Sequence, residues 1–128
     1  MAYRILVIED NPTNMKLMTY LLTAFGHTTI AAATGEEGVE AALRDRPDLI
    51  LCDLALPHLD GYGVARQLRE EPGLSAVPLI AVTASAMTGD RDKVIAAGFD
   101  GYISKPIRPE RLAEAIAAAS EGVTGVRT

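Results

Sequence analysis

The sequence predicts one doubly wound α/β domain, a five-stranded parallel sheet with helices on both faces. Three observations predict it. Short apolar, β-branched-rich runs alternate along the chain with stretches of helical spacing. Ile5-Leu6-Val7-Ile8 and Leu49-Ile50-Leu51-Cys52 are apolar at every position rather than every second one, as strands covered on both faces require. Five such strand and helix units use up 128 residues, a length that suits a single domain.

The strand runs fall at 4–8, 28–32, 48–52, 78–82 and 101–104. The first helix opens on Asn11 as N-cap with Pro12 at the first helical position, and Gly26 follows its last apolar residue. Met15, Met18, Leu21, Leu22 and Phe25 recur at three- and four-residue steps and read as its core stripe. Thr34 and Glu37 form a capping box ahead of Val39, Ala42 and Leu43 in the second helix. The third carries Val64 and Leu68 and stops at Pro72-Gly73. The fourth runs from near Thr88 to Gly98. The fifth begins at Pro109 and turns Leu112, Ala115, Ile116 and Ala119 to one face. Residues 122–128, polar and glycine-containing, read as a frayed tail, which leaves 1–121 as the domain.

Composition narrows the function classes. Apolar residues at 48% and charged residues at 23% exclude intrinsic disorder. No apolar stretch approaches the roughly 18 residues that span a bilayer. The N-terminus lacks the pattern of a signal peptide, so the expected location is cytoplasmic, away from the membrane. Twelve Lys and Arg against 17 Asp and Glu give a net charge of −5 with no basic stripe, which argues against nucleic-acid binding. Cys52, the single cysteine, has no disulfide partner and reads as inert core. His27 and His58 read as loop residues rather than metal ligands.

In open parallel sheets, chemistry gathers beyond the carboxyl ends of the strands. Here the first strand ends at Glu9 and Asp10, the third at Asp53, the fourth at Thr83 and the last at Lys105. Singly, each has a plain structural role: Glu9-Asp10 favours a helix N-terminus, Thr83 terminates a strand, and Lys105 is solvated. Five such residues at four strand ends point instead to a shared site. Three carboxylates in one place repel one another and need a cation or raised pKa values. Oxygen donors without His or Cys favour Mg²⁺ over Zn²⁺, with Mn²⁺ an alternative occupant. A carboxylate beside Mg²⁺ and Lys is a nucleophile for a phosphoryl group, which Thr83 and Lys105 can then hold.

From Ile5 to about Ala119 the chain resembles the receiver domain of two-component response regulators. The motifs that carry the resemblance are Ile5-Leu6-Val7-Ile8-Glu9-Asp10-Asn11, Asp48-Leu49-Ile50-Leu51-Cys52-Asp53-Leu54, Pro57 with Asp60-Gly61, Val82-Thr83-Ala84 and Tyr102-Ile103-Ser104-Lys105-Pro106. Asn11, Asn14, Met15, Lys16 and the segment 84–87 resemble the single-domain, DivK-type regulators and the receivers of hybrid kinases. The resemblance implies the flavodoxin-like strand order 2-1-3-4-5. It implies that Asp53 accepts a phosphoryl group from a histidine kinase or histidine phosphotransfer protein. Asp10 and Asp53 would bind Mg²⁺ directly, Glu9 through water, and Ala55 through its backbone carbonyl. Thr83 and Lys105 would hold the phosphoryl oxygens, Tyr102 would switch rotamer with Thr83, and Lys105–Pro106 would be a cis peptide bond.

The implied function is a phosphorylation-dependent switch, a stand-alone receiver that changes its contacts with a downstream protein target. It would not turn over a separate substrate. The face made by the fourth helix, last strand and fifth helix is the expected partner surface, including for a homodimer. Ser85 would lie in the switching loop, and Arg108 reads as a solvated residue at the start of the last helix. Three departures from the common pattern stand out. Glu9 replaces a frequent Asp, Leu56 a frequent Met, and Ala55 offers no polar side chain to position an attacking water. Two other classes compete. A phosphorylation-independent adaptor would leave Glu9, Asp10, Asp53, Thr83 and Lys105 unused. A haloacid-dehalogenase-type phosphatase would need a second Asp where Ala55 stands.

Overall fold

The computed structural model describes residues 2–84 and 88–121. Its elements are β1 (Arg4–Ile8), α1 (Pro12–Ala24), β2 (Thr28–Ala32), α2 (Gly35–Asp45), β3 (Leu49–Asp53), α3 (Gly61–Glu70), β4 (Leu79–Thr83), α4 (Thr88–Ala96), β5 (Gly101–Ser104) and α5 (Pro109–Glu121). The strands pair in parallel in the order β2-β1-β3-β4-β5, as expected. Ser85 and the tail 122–128 lie outside the described residues.

Two apolar layers explain the uninterrupted strand runs. Ile5 and Val7 join Met18 and Leu22 of α1 and Leu112 and Ile116 of α5 on one face of the sheet. Leu6 and Ile8 join Ala41 and Ala42 of α2, Val64 and Leu68 of α3 and Val94 of α4 on the other. Every residue of β3 and β4 is buried, so neither face of these strands needs a polar position.

The helix starts follow the sequence signals. Asn11 Oδ1 accepts from Asn14 N at 3.0 Å, and Thr34 Oγ1 accepts from Glu37 N at 3.0 Å. Other details differ from the expectation. β3 and β4 sit one residue further along than the apolar runs, because the ladder pairs backbone and takes in Asp53 and Thr83. Phe25 is the C-cap of α1 and stays 38% exposed instead of joining the core, while Met18, Leu21 and Leu22 are buried. In α2 the buried positions are Gly35, Gly38, Ala41 and Ala42, and Leu43 is exposed. A Cβ on Gly38 would overlap Ile8, so α2 approaches β1 more closely than larger residues would allow.

One residue without a sequence signal organises the sheet edge opposite the strand ends. Arg69, at the end of α3, donates from Nε to Gly98 O at 2.8 Å, and from Nη1 to Ser75 O at 3.0 Å and Val77 O at 2.7 Å. Its Nη2 meets Asp100 Oδ2 at 2.8 Å, and the same oxygen accepts from Leu79 N at 2.8 Å. One planar fork thereby ties α3 to the α3–β4 and α4–β5 connections.

An ammonium cannot reach these four acceptors together, so Arg69→Ala and Arg69→Lys should both destabilise the fold. The expected loss is about 2–3 kcal/mol, or roughly 5–12 °C in Tm. A Lys variant that melts with the wild type in a calorimeter would show that the fork geometry is dispensable.

Candidate functional site

The strand order brings the ends of β1, β3 and β5 to one edge, with β4 between β3 and β5. Ile8 pairs with Cys52, Asp53 with Val82, and Thr83 with Ser104, so the residues at these strand ends stand side by side. Glu9, Asp10 and Asp53 each place a carboxylate oxygen within 4.8 Å of the others. Glu9 is 2% and Asp53 3% exposed, whereas Asp10 is exposed at the mouth. Lys105 reaches in from beyond β5, its Nζ 2.9 Å from Asp53 Oδ2 and 3.4 Å from Glu9 Oε1. Thr83 is buried at the end of β4, and its carbonyl accepts from Lys105 N at 2.8 Å. The Lys105–Pro106 peptide bond is cis. Tyr102 sits half-buried in β5 opposite Ala81.

Backbone donors complete the arrangement. Ala55 N donates to Asp53 Oδ1 at 3.0 Å, and Asn11 N donates to Glu9 Oε2 at 3.1 Å. Gly61 opens α3 so close to the end of β3 that a Cβ there would lie 2.6 Å from Asp53 O and Leu54 Cα. The sequence marked Asp60-Gly61 only as a motif of the resemblance; the amide donors and the tight approach were not visible in it, since amides carry no side-chain signature. His58 adopts φ +64° in the β3–α3 loop and is exposed. His27 Nδ1 accepts from Tyr3 N at 3.0 Å, which accounts for it structurally. Cys52 is fully buried, and burial pushes its thiol pKa up, so it stays an unreactive core residue.

The electrostatics are unbalanced. Burial pushes the Glu9 pKa up to about 7; the Asn11 amide opposes this, the neighbouring Asp53 adds to it, and Lys105 offsets part. Burial works against the Lys105 ammonium, but the Asp53 hydrogen bond and the charges of Asp53 and Glu9 outweigh it and raise its pKa. At 3.4 Å the Lys105–Glu9 contact is Coulombic, and Glu9 Oε1 is left buried without a hydrogen-bond partner among the described residues. Were all three carboxyls ionised, the one ammonium would leave two negative charges over. A hard divalent cation fits that excess and the all-oxygen donor set, and Glu9 Oε1 is an acceptor still in want of a partner.

The Glu9 shift has a definite sign for stability. A carboxyl whose folded pKa is raised favours the folded state when protonated, so stability falls as pH rises from about 4.5 to about 7. In EDTA at pH 8, Glu9→Gln should therefore raise Tm by roughly 3–8 °C, about 1–2 kcal/mol. At pH 5 the gain should nearly vanish. Equal melting of the two proteins at pH 8 would contradict the buried-charge account.

Comparison with known proteins places this geometry in a family. The family model described as the response regulator receiver domain matches residues 5–117. The polar-differentiation response regulator DivK of Brucella anthropi is 42% identical over 116 residues, covering 91% of this chain and 94% of the relative. The receiver domain of a sensor histidine kinase from Pseudomonas aeruginosa, solved with a magnesium ion coordinated in its active-site cleft, is 36% identical. It superposes with a TM-score of 0.86, covering 93% of this chain and 98% of that one. Chemotaxis protein CheY4 of Vibrio cholerae shares the fold at 22% identity, with a TM-score of 0.88 over 93% of this chain and 99% of its own. The chain belongs to the response regulator receiver domain family.

Proposed function

We propose that the protein is a phosphorylation switch that accepts a phosphoryl group on Asp53 from a phosphohistidine donor. The observation that carries this reading is the Asp53 carboxylate, 3% exposed, with Lys105 Nζ at 2.9 Å and two further carboxylates beside it. The phosphohistidine belongs to a histidine kinase or a histidine phosphotransfer protein. A carboxylate oxygen of Asp53 attacks phosphorus, a P–O bond forms, and the P–N bond breaks. Its electron pair leaves on the imidazole, which takes a proton from solvent. Bound Mg²⁺, or Mn²⁺, held by Asp10, Asp53, the Ala55 carbonyl and Glu9 through water, would neutralise phosphoryl charge.

The chain's own residues do the rest. The Ala55 amide holds Asp53 Oδ1 while Lys105 holds Oδ2, so the nucleophile is oriented before the donor arrives. Its raised pKa keeps Lys105 protonated, ready to hold the phosphoryl oxygens. The Thr83 hydroxyl moves toward the same oxygens, and Tyr102 changes rotamer with it. The added charge thus reorganises the α4–β5–α5 face that a downstream target reads. No separate substrate is turned over.

Incubation with acetyl phosphate, and separately with a phosphorylated histidine phosphotransfer protein, tests the chemistry by intact mass. Wild type should gain one phosphoryl unit with Mg²⁺ and none in EDTA, and Asp53→Asn should gain none. Failure with both donors would favour an adaptor that does not use the site.

The switch is tested apart from the chemistry. Thr83→Ala should still gain the phosphoryl unit but lose the change in the Tyr102 ring resonances on phosphorylation. A full Tyr102 response in that variant would remove Thr83 from the relay.

A further inference from the structure

The surface beside β5 carries more chemistry than the switch itself uses. Two cavities lie between β5 and α5. The larger, about 640 Å³, is lined by Lys105, Arg108, Arg111 and Glu114 at the carboxyl end of β5. The smaller, about 370 Å³, lies toward Asp100 and is lined by Pro78, Ile80, Ala118 and Ala119. Tyr102 and Ala115 line both, so the two adjoin, and together they make up the β5–α5 groove. It runs along the four residues of β5, a length of about 13 Å.

The charge along this groove contradicts the charge of the molecule. The chain is acidic at −5, yet three cations and one carboxylate line the larger cavity. Lys105 is committed to Asp53. Arg108 and Arg111 are exposed, and neither takes part in an ion pair among the described residues. At the other end, Asp100 is occupied by Arg69 and the Leu79 amide, which leaves that cavity walled by alanines, Pro78 and Tyr102. Two uncommitted guanidinium forks fit carboxylates. The small-residue wall fits one apolar side chain. The surplus negative charge elsewhere on the chain disfavours a long polyanion such as nucleic acid, while leaving a short acidic stretch attracted locally.

We propose that the β5–α5 groove binds a short acidic segment of a partner protein, its carboxylates on Arg108 and Arg111 and one apolar side chain in the alanine-walled cavity. The inference rests on the switch reading only in taking that partner to be the downstream target. Lys105 belongs to both places: it holds Asp53 and lines the groove. The segment therefore sits where a change at Asp53 is felt.

Panning the full chain, treated with acetyl phosphate and Mg²⁺, against a random-peptide phage library tests the proposal. The selected peptides are then synthesised and their affinities measured by fluorescence anisotropy. The expected consensus combines Asp or Glu with a Leu- or Phe-sized residue. Joint Arg108→Glu and Arg111→Glu substitution should weaken binding about tenfold or more, and high salt should do likewise. Glu114→Gln should strengthen it, a gain that a misfolded variant would not produce. Ala118→Trp should block the apolar end. A basic or uncharged consensus, no enrichment, or affinity indifferent to the two arginines would overturn the proposal. So would sedimentation showing a dimer that the double reversal dissociates, because a second copy would then be the occupant. Intact mass of the treated wild type separates the two readings: a phosphorylated chain without an acidic consensus retires the groove and leaves the switch standing.

Discussion

The Lys105 ammonium lying against the buried carboxylates of Asp53 and Glu9 is the interaction around which the molecule is arranged. Burying two carboxylates without compensation is unfavourable by several kcal/mol, so each must find donors. Lys105 contributes from beyond β5, the Ala55 amide from the β3–α3 connection, and the Asn11 amide from the start of α1. Three separate connections are therefore held in place by one small charge cluster. Gly61 is part of the same constraint, because α3 must begin against the backbone of Asp53 and Leu54 for the Ala55 turn to close.

The two edges of the sheet treat charge in opposite ways. At the edge away from the site, the Arg69 donors and the Asp100 carboxylate satisfy one another and the nearby carbonyls. At the site edge, one oxygen of Glu9 stays buried without a hydrogen bond among the described residues, and burial pushes its carboxyl pKa up to about 7. Residual electrostatic tension concentrated where the chemistry is expected, on a base that is fully paired, is the pattern of a site that gives up stability for function.

Much of this was legible in the sequence because polarity changes abruptly where the strands end. Glu9, Asp53 and Thr83 follow apolar runs directly, Lys105 follows one residue later, after Ser104, and a parallel sheet has no choice but to gather such residues at one edge. Asn11-Pro12 and Thr34 announced their helices through their own capping chemistry. What stayed hidden depends on relations that a linear pattern does not encode. Arg69 looks like any charged residue near a helix end, and its four acceptors come from segments up to 31 residues away. The Ala55 and Asn11 amides are donors that every residue except proline possesses. Leu43 and Phe25 fitted a helical stripe, but α2 docks through Gly38 and α1 ends at Phe25, so both side chains turn outward.

The position of β5 decides where a change at Asp53 can be felt outside. β1 and β3 are paired on both sides and their apolar residues are buried on both faces, so shifting either would disturb two ladders and two helix layers. β5 pairs only with β4 and is four residues long, with Ile103 its one buried side chain. Lys105 follows directly at its end, and the Lys105 amide is bonded to the Thr83 carbonyl. A new charge on Asp53 would therefore act on an edge strand, held by a single ladder, through a covalently adjacent residue. Tyr102 and Ile103 connect that residue to the groove along α5. Binding and phosphorylation coupled through such a strand must be reciprocal, since a segment that prefers the phosphorylated arrangement stabilises it by the same free energy.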